Sequence, residues 1–160
     1  MVNRKKRRIS YWWPLAKSLA AFFNAQMSDE VDEDGNLIPL FEDVHVYNGT
    51  LGKSREFPFV EIGYESEGEI PNSVPLTGVV TLTIDIGVES DDEEPETAYV
   101  LQDDLQGKVL SCIPEWPRIA REEIGIAPNV TIREIVSDGD IYRPTSLARI
   151  YIDIEWRKTP

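Results

Sequence analysis

Apolar and polar residues alternate without a break from Val80 to Glu89. Val80, Leu82, Ile84, Ile86 and Val88 take one side; Thr81, Thr83, Asp85 and Glu89 take the other. A period of two over that length predicts a long strand with one face buried and one wet. The period then changes. Ala98, Leu101, Leu105, Val109 and Cys112 are spaced three, four, four and three, one apolar stripe of a helix. Between the two lies the acidic run Glu89–Glu96. Near the C-terminus Ala148, Ile150, Ile152, Ile154 and Trp156 alternate with Arg149, Tyr151, Asp153, Glu155 and Arg157, a second half-buried strand.

Weaker signals fill in the rest. Pro14 suits the first turn of a helix, and the stripe Leu15, Leu19, Phe22, Phe23 and Met27 carries that helix to about Met27. The acidic segment 28–43, with its Gly35-Asn36 turn, reads as a long loop. Val44–Tyr47 reads as a short strand. Phe57–Ser66 is a further strand with Val60, Ile62 and Tyr64 on one face, and Pro58 marks an edge or a strand start. Pro114 and Pro117 forbid continuation of the second helix. Arg118–Ile124 has room for one or two more helical turns, and Val130–Val136 is a strand. Runs of strands flanked by helices predict an α+β fold, a mainly antiparallel β-sheet with helices packed on one face.

At 160 residues the chain suits one domain, here residues 11–160, preceded by a flexible basic arm of residues 1–10. Charge sharpens this division. The formal net charge is -13, yet Arg4, Lys5, Lys6, Arg7 and Arg8 stand together in the arm, so the body is more acidic still. An acidic body repels free nucleic acid, whose binding depends on cations displacing condensed counterions. The lone Cys112 rules out an intrachain disulfide and reads as a packed thiol. The start does not resemble a secretory signal and no apolar run is long enough to span a membrane, so synthesis and assembly in a cytoplasm are expected.

Chemistry-bearing patterns are sparse. His45 is the single histidine and has no cysteine, histidine or motif beside it. Phosphate-binding glycine loops, nucleophile elbows and paired metal-ligand spacings are missing from the sequence. The run Glu89–Glu96 has the carboxylates of a hard-cation site but not a calcium loop's spacing, and reads as a solvated loop. Asp103 and Asp104, adjacent on a helix, diverge by about 100° and do not converge on a substrate. The expectation is a non-enzyme with no catalytic, cofactor-binding or metal-binding residue. Tyr11, Trp12 and Trp13 are more informative: beside five cations they can stack on bases, enter a membrane interface, plug a neighbour's groove, or pack under their own sheet. The basic arm can serve a nucleic acid or dock on an identical neighbour's acidic surface.

Element order, with the phrases PFVEIG at residues 58–63 and ARIYIDIEW at residues 148–156, resembles the tail terminator, or tail-completion, proteins of long-tailed bacteriophages. The resemblance spans about residues 12–157; the basic arm and the acidic segment Met27–Asp43 depart from it. It implies a structural virion protein in the tail or neck. That protein forms a ring, usually a hexamer, that caps the tail tube and offers a head–tail joining surface. Implied partners are further copies of the chain, the tail tube protein and a neck or connector protein, with DNA passing through unbound. Partner-binding candidates are Arg4, Lys5, Lys6, Arg7, Arg8, Tyr11, Trp12 and Trp13. Acidic lumen or rim candidates are Glu65, Glu67, Glu69, Glu89, Asp91, Asp92, Glu93 and Glu94. The alternatives are another connector or injection-machine cap, and, in a different class, a small nucleic-acid-binding regulator that uses the arm.

Overall fold

A computed structural model of the chain describes residues 10–49, 54–69, 77–90, 95–138 and 145–158. Helix α1 (Trp12–Ala25) leads into a hairpin of β1 (Met27–Val31) and β2 (Leu37–Pro39). Three strands follow: β3 (His45–Asn48), β4 (Phe59–Glu69) and β5 (Thr77–Glu89). Helix α2 (Pro95–Cys112) passes through a short 3-10 turn into α3 (Trp116–Ile124), and the chain returns as β6 (Ile126–Ser137) and β7 (Thr145–Lys158). The main sheet has the order β3-β4-β5-β7-β6, antiparallel throughout except for the parallel pair β3–β4. The fold is α+β with mainly β content, as the periodicities predict.

Alternation explains the centre of the sheet. Val80, Leu82, Ile84 and Ile86 on β5 oppose Ile154, Ile152, Ile150 and Ala148 on β7, all on the helix side. Leu15, Leu19, Phe22 and Phe23 of α1, Leu105 and Val109 of α2, and Trp116 and Ala120 of α3 close over them in one core cluster. Each such aliphatic side chain contributes roughly 1.5–3 kcal/mol on burial. The indole N–H of Trp116 donates to Ser18 Oγ at 3.1 Å, and that hydroxyl donates to Glu123 at 2.8 Å, which ties α1 to α3 through a satisfied buried polar group.

Four local readings are corrected. Helix α1 ends at Ala25, so Met27 does not extend its stripe but opens β1 with half its surface exposed. The segment 28–43 is not all loop: Asp32 Oδ1 accepts the N–H groups of Asp34 and Asn36, both at 2.9 Å, and Gly35 takes φ +81, which closes the β1–β2 hairpin. On α2 the buried stripe runs Ala98, Gln102, Leu105, Val109 and Cys112, while Leu101 faces out. Gln102 gains its place by accepting a hydrogen bond from the buried Ser146 hydroxyl. Finally, Thr81 and Thr83 are buried rather than wet; they stand opposite Asp153 and Tyr151 of β7, and the Thr81 hydroxyl donates to Asp153.

Cys112 is packed on that stripe, where its thiol donates to the Val109 carbonyl, and burial pushes it up to about 11, opposed by a weaker contribution from its own backbone N–H. The neutral thiol is the form the fold favours, so its contribution is complete below the unfolded value near 9 and declines as pH rises above it. Native protein at pH 8 is therefore expected to react with an aromatic disulfide reagent at least about a hundredfold more slowly than urea-unfolded chain. Equal rates in the two states, read by absorbance, would contradict this packing.

Candidate functional site

The helices leave one face of the sheet uncovered, and that face carries a lattice of charge. Arg149 on β7 donates from Nε and Nη2 to Asp85 on β5, at 2.6 and 2.9 Å. Asp85 foremost, and Tyr151 after it, hold the Arg149 proton more firmly than usual, so that cation is fixed. Arg55 lies 3.7 Å from Asp85 and 3.6 Å from Glu61, with its guanidinium 4.4 Å above the Phe59 ring. Phe59 is buried on this polar side, lying across Gly87 where any side chain would collide. A shallow cavity of about 300 Å³ opens here between Arg55, Phe59, Asp85, Arg149 and Asp138.

A second cluster lies further along the face, built by two bulges. In β4 the register slips between Tyr64 and Ser66, so Glu65 is an extra residue; in β6 it slips between Ile132 and Glu134, so Arg133 is extra. A bulge re-aims a side chain without ending the strand. The two inserted residues meet across the sheet: Arg133 Nη2 donates to Glu65 Oε2 at 2.9 Å and lies 5.0 Å over the Tyr151 ring. Asp153 accepts from Thr81 at 2.7 Å and sits 3.9 Å from Arg133.

The β4 bulge has another effect. Past it, Glu67 stands opposite Val80 and faces the helices rather than the charged lattice. There it accepts hydrogen bonds from the backbone of Trp12 at 2.9 Å and Tyr11 at 3.3 Å, and from Ser10 Oγ at 3.1 Å. A carboxylate on the free N–H groups of a helix start also meets the positive end of its dipole. Tyr11 then packs on Trp156 with ring centroids 4.5 Å apart, and Trp12 on Tyr64 at 4.6 Å. Replacing Glu67 by Ala is expected to cost about 1–2 kcal/mol in urea unfolding and to red-shift tryptophan emission as Trp12 is released. An unchanged midpoint would mean that the helix start holds itself.

The sequence candidates therefore divide. Tyr11 and Trp12 pack within their own chain, while Trp13 remains 48% exposed. Glu65 is ion-paired, Glu67 anchors α1, and Glu89 is exposed at the end of β5. Glu69 ends β4, and nothing is described of its side chain. Arg4, Lys5, Lys6, Arg7 and Arg8 and the acidic residues Asp91, Asp92, Glu93 and Glu94 lie outside the described residues. His45 is on β3, 3.4 Å from Glu56 at the surface. Among the described residues no group of three potential ligands converges as a metal site, and no helix is long and apolar enough to cross a membrane.

Arg55, Asp85, Arg133, Arg149 and Asp153 are the residues that the sequence reading passed over. Alternation places Asp85, Arg149 and Asp153 on the polar side. Their pairing depends on the β5–β7 register, and that of Arg133 on its bulge.

Both margins of the sheet are unfinished. Among the described residues strand β6 has a strand neighbour on one side only, and Ile132, Ile135 and Val136 are 40–44% exposed. On the other side the described β3–β4 ladder runs from Phe59 to Ile62 and stops short of the end of β4. An unpaired row of backbone groups is a template for another chain, and charge is a common device for blunting it. Comparison of the chain with models of protein families and with curated proteins finds no match to either.

Proposed function

We propose that this chain is a structural virion protein of a long-tailed bacteriophage: a tail terminator whose copies form a ring, capping the tail tube and presenting a head–neck joining surface. The observation that carries the reading is the pair of unfinished margins. One is a long strand edge with exposed Ile132, Ile135 and Val136; the other is the part of β4 beyond Ile62, where the described ladder with β3 ends. Dissimilar surfaces on opposite sides of one molecule favour head-to-tail contacts, and head-to-tail contacts close into rings when the rotation permits. The element order and the two strand phrases behind the resemblance fall on β4 and β7. A connector or injection-machine cap of the same particle uses the same surfaces and is the near alternative. The regulator reading has less support, since Tyr11 and Trp12 are committed to Trp156 and Tyr64 and are withdrawn from base stacking.

The direct test mixes purified protein with tail tubes and images them. Ring-shaped density at tube ends, and overlong tubes without joined heads in phage lacking the protein, are the expected results. A strict monomer that ignores tubes, with normal tails in its absence, would overturn the reading.

A further inference from the structure

We propose that the exposed apolar face of the β1–β2 hairpin is the seat for the N-terminal basic arm of a second copy of this chain. Residues 1–9 of one molecule would lie across the hairpin of its neighbour. The inference rests on the ring reading only in requiring copies side by side; tubes and heads do not enter it.

Three observations converge. The first is the hairpin itself. Met27, Val31 and Leu37 share one of its faces and are 52–58% exposed, and neither strand packs extensively on the helices or the main sheet. A lone two-stranded hairpin is marginal in water. Here the Asp32 turn holds the tip in shape, so the face is already formed for a partner.

The second observation is charge. Asp29, Glu30, Asp32, Glu33 and Asp34 lie exposed on β1 and the hairpin turn, and none is in an ion pair with a cation among the described residues. The arm presents Arg4, Lys5, Lys6, Arg7 and Arg8, with Val2 and Ile9 on either side as apolar contacts. A segment that mixes apolar and cationic residues is complementary in sign to a hairpin that mixes apolar and anionic ones.

Reach is the third, and it selects the neighbour over the arm's own chain. The described chain starts at Ser10, clamped to Glu67 at one end of α1, whereas the hairpin leaves the other end. A helix of 14 residues puts those ends about 21 Å apart. The hairpin strand β1 itself spans about 15 Å to the turn. Extended backbone carries Arg4 no more than about 20 Å from Ser10, and the other cations less. The length of α1 alone therefore takes up the backbone reach of the arm's cations. A copy alongside brings its hairpin within reach.

The experiment pairs two full-length chains of different tagged mass, both with Cys112→Ser. One carries Lys6→Cys and the other Glu33→Cys; they are mixed and oxidised mildly. A covalent species containing both chains is expected. It should fall at least about tenfold when Asp29→Lys, Glu30→Lys and Asp34→Lys are added to the hairpin chain, and weaken likewise above about 0.5 M salt. Reversing Arg4, Lys5, Arg7 and Arg8 to Glu on the arm chain should restore it, which separates charge pairing from misfolding of either variant.

A chain carrying both cysteines that closes only on itself would overturn the proposal. A mixed species indifferent to charge reversal would overturn it too. Ring-sized particles by light scattering without the mixed species would overturn this contact and leave the ring reading intact. Monomers without the mixed species would overturn both.

Discussion

Trp156→Ala is expected to cost about 3–5 kcal/mol and to lower the thermal midpoint by about 10 °C or more. The indole is fully buried near the end of β7, with Tyr11 against it and Gly78 flat beneath it. A Cβ on Gly78 would stand 2.5 Å from one indole carbon and 2.7 Å from another, so the ring lies directly on glycine backbone, which has no side chain of its own to refill the space. The loss is also not confined to β7: Tyr11 begins the segment that Glu67 clamps, so the start of α1 loosens along with the core. Differential scanning calorimetry checks the midpoint, and the Tyr11→Ala background checks the coupling. Additive losses in the double variant would show that the two rings act independently.

Gly87→Val should be almost as damaging, for the opposite reason. Here the problem is excess volume. A Cβ at position 87 falls on the Phe59 ring at distances that real side chains do not adopt, and Phe59 cannot lift freely because Arg55 lies 4.4 Å above it. Overpacking of this kind costs about 1–3 kcal/mol, and the strained position on a central strand favours the upper end. Truncating Phe59 makes room, so Gly87→Val with Phe59→Ala should be less unstable than the sum of the single changes by about 1 kcal/mol or more in urea unfolding. Strict additivity would mean that the ring is not the obstacle.

How far the sequence reveals this molecule depends on which residues bury area. Strands β5 and β7 are plain because their alternate residues go to a core on one side, and the same holds for Leu15, Leu19, Phe22 and Phe23 on α1. The β1–β2 hairpin is hidden for the converse reason: Met27, Val31 and Leu37 are exposed, so no burial imposes a period on the segment. On α2 hydropathy favours Leu101 over its neighbour, yet Gln102 is the buried residue, because a hydroxyl from β7 awaits its carbonyl. Tertiary partners override local preference there. The charged face is the least legible feature. Its ion pairs join positions 68 and 64 residues apart, and its two bulges leave no mark in composition.

Those paired insertions make β4 tolerant of one particular lost codon. Removing Glu65 leaves Tyr64 opposite Leu82, Ser66 opposite Thr81 and Glu67 opposite Val80 with no residue to spare, so the ladder closes into simple alternation and the downstream side chains keep their faces. Glu67 stays on the helix side with its three donors, and the cost falls on the charged face, where Arg133 loses the carboxylate it holds at 2.9 Å. An in-frame deletion at this point should therefore act much as truncation of the Glu65 side chain does.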